Sequence, residues 1–180
     1  ARGGFDCTLR QPMGVIAAIT PWNFPFLIAC WKVAPALAAG NSVILKPASL
    51  TPLTALFLGQ LAQEAGLPDG VLQVLPGSGY EAGNALATHP LIRKIGFTGS
   101  TEVGSKIMKL AADDIKRVSL ELGGKSPNIV FADADWQRAA SESPMSVFAN
   151  TGQDCCARSR MFIEQSIFDD FVSQFVAATE

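Results

Sequence analysis

The 180-residue sequence is poor in charge and has almost no histidine. Charged residues make up 17% of it, the formal net charge is −2, and His89 is the single histidine. The sequence has no run of lysine and arginine that would attract the phosphates of a nucleic acid, so we expect no nucleic-acid partner. With one histidine and no CxxC pair, the usual ligands of a zinc site are missing, and we predict no metal site.

The sequence also lacks an uninterrupted apolar run of the length that crosses a membrane. Its longest apolar stretch, residues 24–39, is broken by Pro25, Lys32 and Pro35, whereas a spanning helix needs about 20 predominantly apolar residues. We therefore expect no membrane partner. Hydrophobic residues still make up 48% of the chain, which is typical of a packed globular protein.

The four cysteines do not have the spacing of a disulfide framework. Cys155 and Cys156 are adjacent, and Cys7 and Cys30 lie in apolar segments. Reduced thiols fit this arrangement best, and they predict a cytoplasmic protein. Buried structural cysteine is the expected state of Cys7, Cys30 and Cys156, since a reduced thiol packs like a small hydrophobic side chain.

Short apolar runs alternate with segments of helical spacing along most of the chain. Five of these runs predict strands, over residues 15–20, 42–46, 71–75, 93–97 and 116–121. Repeated βα units with mostly apolar strands predict an α/β fold, in which an open, mostly parallel sheet is covered on both faces. Rossmann-like nucleotide-binding domains have this architecture.

Helix boundaries are predicted from capping residues. Thr51, directly before a proline, is the expected N-cap of the second helix. An acidic cap is expected to open a helix over residues 135–149, and residues 166–169 form an expected capping box for the last helix. Gly40-Asn41 is expected to end the first helix.

Polar residues lie at or just beyond the carboxyl ends of four predicted strands, and each has two interpretations. Because ligands bind at the carboxyl ends of parallel strands, these positions predict a binding edge. Asn23 suits an oxyanion but is also common in turns, and Lys46 can reach a phosphate or ribose but also fits a solvated strand end. The segment 99–104 can bind an anion or simply cap a helix. Glu121 is either an ordinary exposed carboxylate or, because it lies between Leu120 and Leu122, one in a partly dry setting, shielded from water, that would raise its pKa.

A thiol and a carboxylate with complementary chemistry lie about thirty residues apart in the sequence. Cys155 follows a Gly-Gln turn, and Glu121 precedes two glycines. A thiol can attack a carbonyl, and a carboxylate can activate the water that releases the acid. If Arg158 and Arg160 lie near Cys155, their positive charges are expected to favour the thiolate. A redox or metal protein built on the adjacent thiols is the alternative, which the lack of CxxC and of further histidines disfavours.

Together these segments resemble the NAD(P)-dependent aldehyde dehydrogenase superfamily. The matching blocks follow the family's order: Ile-Thr-Pro-Trp-Asn-Phe-Pro at 19–25, Leu-Lys-Pro-Ala at 45–48, and the segments 97–104, 120–127 and 152–157. The resemblance covers nearly the whole chain. It implies oxidation of a small-molecule aldehyde to an acid with NAD or NADP, by a parent enzyme that is a homodimer or homotetramer. The sequence does not name the aldehyde.

The resemblance also implies a role for each matching residue. Cys155 matches the nucleophile that carries the thiohemiacetal and then the thioester, Glu121 the base that activates the deacylating water, and Asn23 the oxyanion donor beside the backbone N–H of Cys155. The implied cofactor-binding residues are Trp22, Lys46, Ser49, Gly77, Gly99, Ser100, Val103, Leu122 and Gly123. The presence of Glu121 disfavours the branch of the family that transfers the acyl group to coenzyme A.

The sequence departs from the family's pattern at one cofactor position and in its length. Many NAD-preferring members have a glutamate where Ser49 stands, and without that charge a 2′-phosphate is not repelled, so NADP is an expected alternative to NAD. The resemblance divides the chain into an incomplete nucleotide-binding domain, residues 1–122, and the truncated beginning of an α/β catalytic domain, residues 123–180. We expect this segment to be inactive alone, and to expose an apolar face of Phe168, Phe171 and Phe175. A non-catalytic nucleotide-binding module is the remaining alternative.

Overall fold

The computed structural model describes residues 3–180, which divide into two compact units. Of the described residues, 3–121 form the first unit and 122–180 the second. Among the described residues, no helix combines the length and apolar character that a membrane-spanning helix requires.

The first unit is built on a five-stranded sheet. In chain order its elements are β1 (Val15–Ile19), α1 (Pro25–Ala38), β2 (Ser42–Lys46), α2 (Leu53–Glu64), β3 (Leu72–Val74), a π-helical turn (Gly79–Gly83), α3 (Asn84–Thr88), β4 (Ile92–Gly99), α4 (Thr101–Ala111) and β5 (Arg117–Leu122). The strand order is β3-β2-β1-β4-β5. Strand β1 pairs in parallel with β2 and β4, and β2 pairs in parallel with β3. The predicted α/β class with a mostly parallel sheet is confirmed.

Helix α1 packs on the central strands and forms the core of this unit. Its side chains Ala29 and Val33 are buried against Ala18, Val43 and Leu45 of β1 and β2. Removing such side chains from water contributes roughly 25 cal/mol per Å² of apolar surface. The central strands are therefore held by this helix, and the carboxyl ends of β1 and β2 are fixed relative to each other.

The end of α1 confirms the predicted Gly40-Asn41 cap. Gly40 takes a φ of +79°, the left-handed conformation that glycine adopts without steric cost. The Asn41 side chain is buried, and its Nδ2 donates to the carbonyl of Ala36 at 2.9 Å. Its Oδ1 accepts from the backbone N–H groups of Met13 and Gly14 at 2.6 and 3.1 Å. One amide thus joins the end of α1 to the start of β1.

The start of α2 differs from the prediction. Pro52, not Thr51, occupies the N-cap, and its α-region backbone begins the helical geometry one residue later than expected. Among the described residues the Thr51 hydroxyl is buried without a hydrogen-bond partner. The N-cap prediction for Thr51 is therefore wrong, because the ring of Pro52 rather than a side-chain cap sets the entry into the helix.

The second unit is a small α/β layer. Its elements are β6 (Pro127–Val130), α5 (Trp136–Glu142), α6 (Met145–Phe148), a 3₁₀ turn (Ala149–Gly152), β7 (Arg160–Ile163), a second 3₁₀ turn (Gln165–Ile167) and α7 (Phe168–Ala177). Strands β6 and β7 pair in parallel. Val130, Ala140 and Phe171 form the buried core.

Two helix predictions in the second unit are wrong. The helix expected over 135–149 does open on Asp135, whose side chain accepts from the N–H of Arg138, but it ends at Glu142, and Pro144 starts the separate helix α6. The expected capping box at 166–169 is absent from the described chain. Ser166 instead donates to Glu164 at 3.0 Å, which leaves α7 without a side-chain cap.

The apolar face of α7 is covered within its own unit at its centre. Phe171 is 1% exposed and stacks with Phe175 at 6.4 Å between ring centroids. Fully burying one such side chain stabilises the unit by about 1.5–3 kcal/mol. The expected exposure of this face is therefore wrong for Phe171, although Phe168 remains 43% exposed.

Candidate active site

Parallel pairing brings three of the predicted site segments to one edge of the first sheet. Ile19, the last residue of β1, pairs with Lys46 of β2 and with Phe97 of β4. The carboxyl ends of β1, β2 and β4 therefore lie side by side, as the sequence predicted. Trp22, 47% exposed, and the half-buried Asn23 lie in the turn that joins β1 to α1.

Lys46 is buried, which excludes the solvated strand-end interpretation. It is 4% exposed, and its Nζ donates to the carbonyl of Pro47 at 2.8 Å. Burial lowers the pKa of this ammonium below its ordinary value, because the charged form loses hydration. An ammonium has three N–H donors, and the Pro47 carbonyl takes one of them. A buried lysine at this edge suits an anionic or hydroxyl-bearing ligand.

Replacing Lys46 with methionine should change how stability depends on pH. In the parent chain the pKa of Lys46 is lowered on folding, so between its folded value and the unfolded value of 10.5 the unfolded chain binds more protons. The free energy of unfolding therefore rises with pH in that window. Lys46→Met should make this rise smaller in urea titrations between pH 7 and 10. Lys109→Met, which removes an exposed lysine from α4, is the matched control, and an equal change in both variants would contradict the prediction.

The structure brings together two of the predicted cofactor residues, Ser49 and Gly77. The Ser49 hydroxyl donates to the carbonyl of Gly77 at 3.1 Å, joining the loops that follow β2 and β3. A Cβ at Gly77 would lie 2.9 Å from the Cβ of Ala82. Glycine is thus required at position 77 by the close approach of the next turn.

Ser100 is the N-cap of α4, so for this residue the structure shows helix capping, the second of its two interpretations. Its hydroxyl accepts from the N–H of Val103 at 3.3 Å. A Cβ at the preceding Gly99 would lie 2.5 Å from Cζ of the buried Phe97 ring. The glycine is therefore needed by the strand itself, and contacts of Gly99, Ser100 and Val103 with a cofactor remain predictions.

Two buried hydroxyls at the same edge were missed by the sequence reasoning. Thr20 and Thr98 directly follow the paired residues Ile19 and Phe97 and are 4% and 8% exposed. Neither hydroxyl has a hydrogen-bond partner among the described residues. An unpaired buried hydroxyl is unfavourable unless water or a ligand completes it. The available signal in the sequence was a threonine at the end of each of two apolar strands. That the two threonines are adjacent depends on the register of β1 with β4.

Glu121 is exposed on β5, and the expected partly dry setting is wrong. Side chains alternate between the two faces of a strand, so Leu120 and Leu122 point away from the face that Glu121 occupies. The charge of Glu121 acts on Lys32 of α1, which the sequence reasoning did not assign to the site. Burial lowers the pKa of Lys32, and the negative charge of Glu121 opposes that shift. A lysine inside the otherwise apolar stretch 24–39 was the available signal.

The loop before Cys155 has an unusual backbone. Asn150, Thr151 and Gly152 all take positive φ values, of 50°, 62° and 74°. For the β-branched Thr151 this left-handed conformation is a genuine outlier, costing on the order of 1–3 kcal/mol. The backbone N–H of Gln153 then donates to the carbonyl of Asn150 at 3.1 Å. Strained loops of this kind persist where the surrounding structure holds a functional group in place.

The thiol pair lies at the end of this loop. Cys155 is half-buried and Cys156 exposed, and their sulfur atoms are 3.8 Å apart. The carboxylate Oδ1 of Asp154 accepts from the N–H of Cys156 at 2.9 Å. Burial raises the pKa of the Cys155 thiol, and the contact with Cys156 and the charge of Asp154 raise it further. These shifts act against the thiolate, the form in which a cysteine attacks a carbonyl carbon.

Two expectations about the cysteines are wrong. Arg158 and Arg160 were expected to favour a Cys155 thiolate, but neither is among the groups that shift the pKa of Cys155. Arg160 instead donates its Nε to the carbonyl of Lys125 at 2.7 Å and lies over the ring of Phe162. Burial was expected for the other cysteines, but Cys7 and Cys156 are exposed and Cys30 is only half-buried. Cys7 belongs to a segment without regular secondary structure, and helix α1 turns Cys30 only partly toward the core.

The predicted catalytic residues belong to both units. Asn23 and Glu121 lie in the first unit, and Cys155 lies in the second. Leu122 ends β5, and a Cβ at the following Gly123 would meet no described atom within 4 Å. That these side chains meet around a substrate and a cofactor remains a prediction.

Comparison with known proteins shows similarity to one enzyme family. The family model described as "Aldehyde dehydrogenase family" matches residues 1–180. Human (Homo sapiens) retinal dehydrogenase 2 is 54% identical over 173 residues, which cover 96% of this chain and 33% of that protein. The NADP/NAD-dependent aldehyde dehydrogenase PuuC of Escherichia coli (strain K12) is 58% identical over 167 residues, or 92% of this chain and 34% of that protein.

A solved structure has the same fold. A crystal structure of an indole-3-acetaldehyde dehydrogenase in complex with NAD+ matches with a TM-score of 0.92 at 52% identity, covering 93% of this chain and 34% of that one. The chain thus spans about a third of the length of the curated relatives it matches. The match of the family model over all 180 residues, together with this identity and fold, shows that the chain belongs to the aldehyde dehydrogenase family.

Proposed function

We propose that the chain carries the nucleophile, the general base and the oxyanion donors of an enzyme that oxidises an aldehyde to a carboxylic acid with NAD+ or NADP+. The observation that carries the proposal is the family match over the whole chain, which includes a half-buried Cys155 at the end of a strained loop. The carboxylate of Glu121 and the amide of Asn23 supply the other two chemical groups that such an oxidation needs.

In the proposed reaction the Cys155 sulfur attacks the aldehyde carbonyl carbon, and the proton of the thiol leaves. The side-chain amide of Asn23 and the backbone N–H of Cys155 stabilise the oxyanion of the thiohemiacetal. A bound NAD+ or NADP+ would supply the acceptor for the hydride that leaves the substrate carbon. Cys155 then holds the acyl group as a thioester, and Glu121 removes a proton from the water that hydrolyses it. Carboxylic acid leaves, and the thiol is restored.

The residues at the carboxyl edge of the first sheet fit a dinucleotide. The unpaired buried hydroxyls of Thr20 and Thr98 would donate to its polar atoms, and the buried ammonium of Lys46 would bind a ribose or a phosphate. Trp22, Gly77, Gly99, Ser100 and Val103 would line the same edge, with Leu122 and Gly123 at the nicotinamide end. Among the relatives, PuuC is described as NADP/NAD-dependent and the indole-3-acetaldehyde dehydrogenase was crystallised with NAD+.

Ser49 is proposed to set the choice between the two cofactors. Introducing Ser49→Glu should lower the kcat/KM ratio of NADP+ to NAD+ by about tenfold or more, which corresponds to about 1.4 kcal/mol. The reason is repulsion between the new carboxylate and a 2′-phosphate. Steady-state kinetics with both cofactors measure the ratio. Ser49→Gln, which changes size without adding charge, is the control, and the prediction fails if glutamine shifts the ratio as far as glutamate does.

The proposal is tested by aldehyde-dependent reduction of NAD+ and NADP+ in a full-length enzyme carrying this chain. Stoichiometric formation of carboxylic acid and reduced cofactor is expected. Cofactor binding without any turnover of a broad aldehyde panel would instead favour a nucleotide-binding module.

We further propose that the 180-residue chain alone is inactive, that the enzyme is a homodimer or homotetramer, and that it acts in the cytoplasm. The free state of all four cysteines supports a reducing compartment.

A further inference from the structure

The two thiols and the carboxylate beside them form a compact group of metal-ligating atoms. The sulfur atoms of Cys155 and Cys156 are 3.8 Å apart. One carboxylate oxygen of Asp154 lies with them in a group whose members are all within 4.8 Å of one another. The proposed oxidation uses only one of these three groups, so the arrangement of the other two is unexplained by it.

The spacing of the sulfurs matches the edge of a metal tetrahedron. Zinc is bound by cysteine sulfur at about 2.3 Å in tetrahedral geometry, which places two such sulfurs about 3.8 Å apart. The observed distance between the two sulfur atoms therefore equals the separation that one bound ion requires. It is much longer than the approximately 2.05 Å of a disulfide.

The carboxylate is positioned to supply a third ligand. Its Oδ1 already accepts from the N–H of Cys156, which fixes the Asp154 side chain over the turn. An oxygen and a sulfur bound to the same zinc lie about 3.5 Å apart, and the Asp154 oxygen lies within 4.8 Å of both sulfur atoms. Cys156 is exposed, so an ion in solvent can reach its sulfur atom.

The sequence predicted no metal site, but on this geometry we propose that Asp154, Cys155 and Cys156 form a binding site for a thiophilic divalent cation, Zn²⁺ or Cd²⁺. The two S–H groups each release one proton to solvent, two metal–sulfur bonds form, and neither the metal nor the sulfur changes oxidation state. Binding itself is independent of the function proposed above. Its consequence rests on that function: an ion held by Cys155 would block the nucleophile, so the site would be inhibitory.

Cadmium titration of the reduced 180-residue chain tests the site without any aldehyde. We expect one Cd²⁺ per chain, with a cadmium–thiolate charge-transfer band of two-thiolate intensity. Cys156→Ser should halve that band and weaken binding by more than the roughly 10–100-fold that loss of an outer partner of a metal ligand costs. The double variant Cys7→Ser/Cys30→Ser removes two thiols outside the site, and it should bind cadmium as the parent does.

A second measurement covers the case of a variant that does not fold. Zn²⁺ should slow alkylation of Cys155 and Cys156 in the parent chain, as read by peptide mass spectrometry, while alkylation of Cys7 continues. Binding of equal strength in Cys156→Ser, or equal protection of all cysteines, would overturn the site. In a full-length enzyme, metal binding without inhibition would leave the site in place and count against Cys155 as the nucleophile.

Discussion

Replacing Cys155 with alanine should reduce acid formation by a full-length enzyme carrying this chain by on the order of 10⁴-fold or more, as loss of a nucleophile does in other covalent mechanisms. Without the sulfur neither the thiohemiacetal nor the thioester can form. The expected result is loss of aldehyde-dependent cofactor reduction at every pH and substrate concentration. Product analysis should accompany the optical assay, so that slow uncatalysed oxidation is not counted.

The matched control is Cys7→Ala, which removes an exposed thiol from a segment without regular secondary structure. It should retain the parent rate. Full activity in Cys155→Ala would mean that the family's sequence pattern is present in this chain without the family's chemistry, and the assignment of the nucleophile would be wrong.

Replacing Glu121 with glutamine should separate the two halves of the reaction. The steady-state rate is expected to fall by roughly 10²–10⁴-fold, the usual contribution of a general base. Hydride transfer precedes the step that needs the base, so a single rapid burst of reduced cofactor should remain, close to one equivalent per active site. Stopped-flow absorbance resolves the burst, and denaturation during the slow phase should trap an acyl group on the protein.

Glu142→Gln is a suitable control for the Glu121→Gln experiment. This glutamate is exposed on α5 and pairs only at the surface with Arg138 at 2.8 Å, a contact of little energetic weight. Its replacement should leave both the burst and the steady state unchanged. If Glu121→Gln abolished the burst as well, Glu121 would act before hydride transfer, and its role as the deacylation base would have to be abandoned.

The sheet was predictable because its signals are local. Strand β2 occupies the predicted residues 42–46, since an apolar run stops at Pro47, and a proline has no N–H to continue a ladder. The α/β class followed from the alternation of such runs. The start of the last helix was not predictable in this way, because a hydroxyl can bond to other neighbours, as Ser166 does with Glu164. At the start of α2, Pro52 rather than Thr51 occupies the N-cap.

The candidate site was predictable only in part. The family's motifs placed Asn23, Lys46 and Cys155 in the sequence, but burial of Lys46 and exposure of Glu121 are consequences of packing and of strand alternation. The adjacency of Thr20 and Thr98 requires the register of β1 with β4, which no short motif contains. Sequence patterns therefore identified chemical groups, and the structure supplied their surroundings.

The ring of Phe97 lies where a side chain at Gly99 would begin, and this couples the two positions in any attempt to redesign the entry into α4. A library that randomises position 99 alone should yield folded clones that are almost all glycine. Randomising 97 and 99 together should also return pairs with a smaller residue at 97 and a larger one at 99. Side chains at positions 97 and 99 would occupy the same space, so the two residues have to be chosen together.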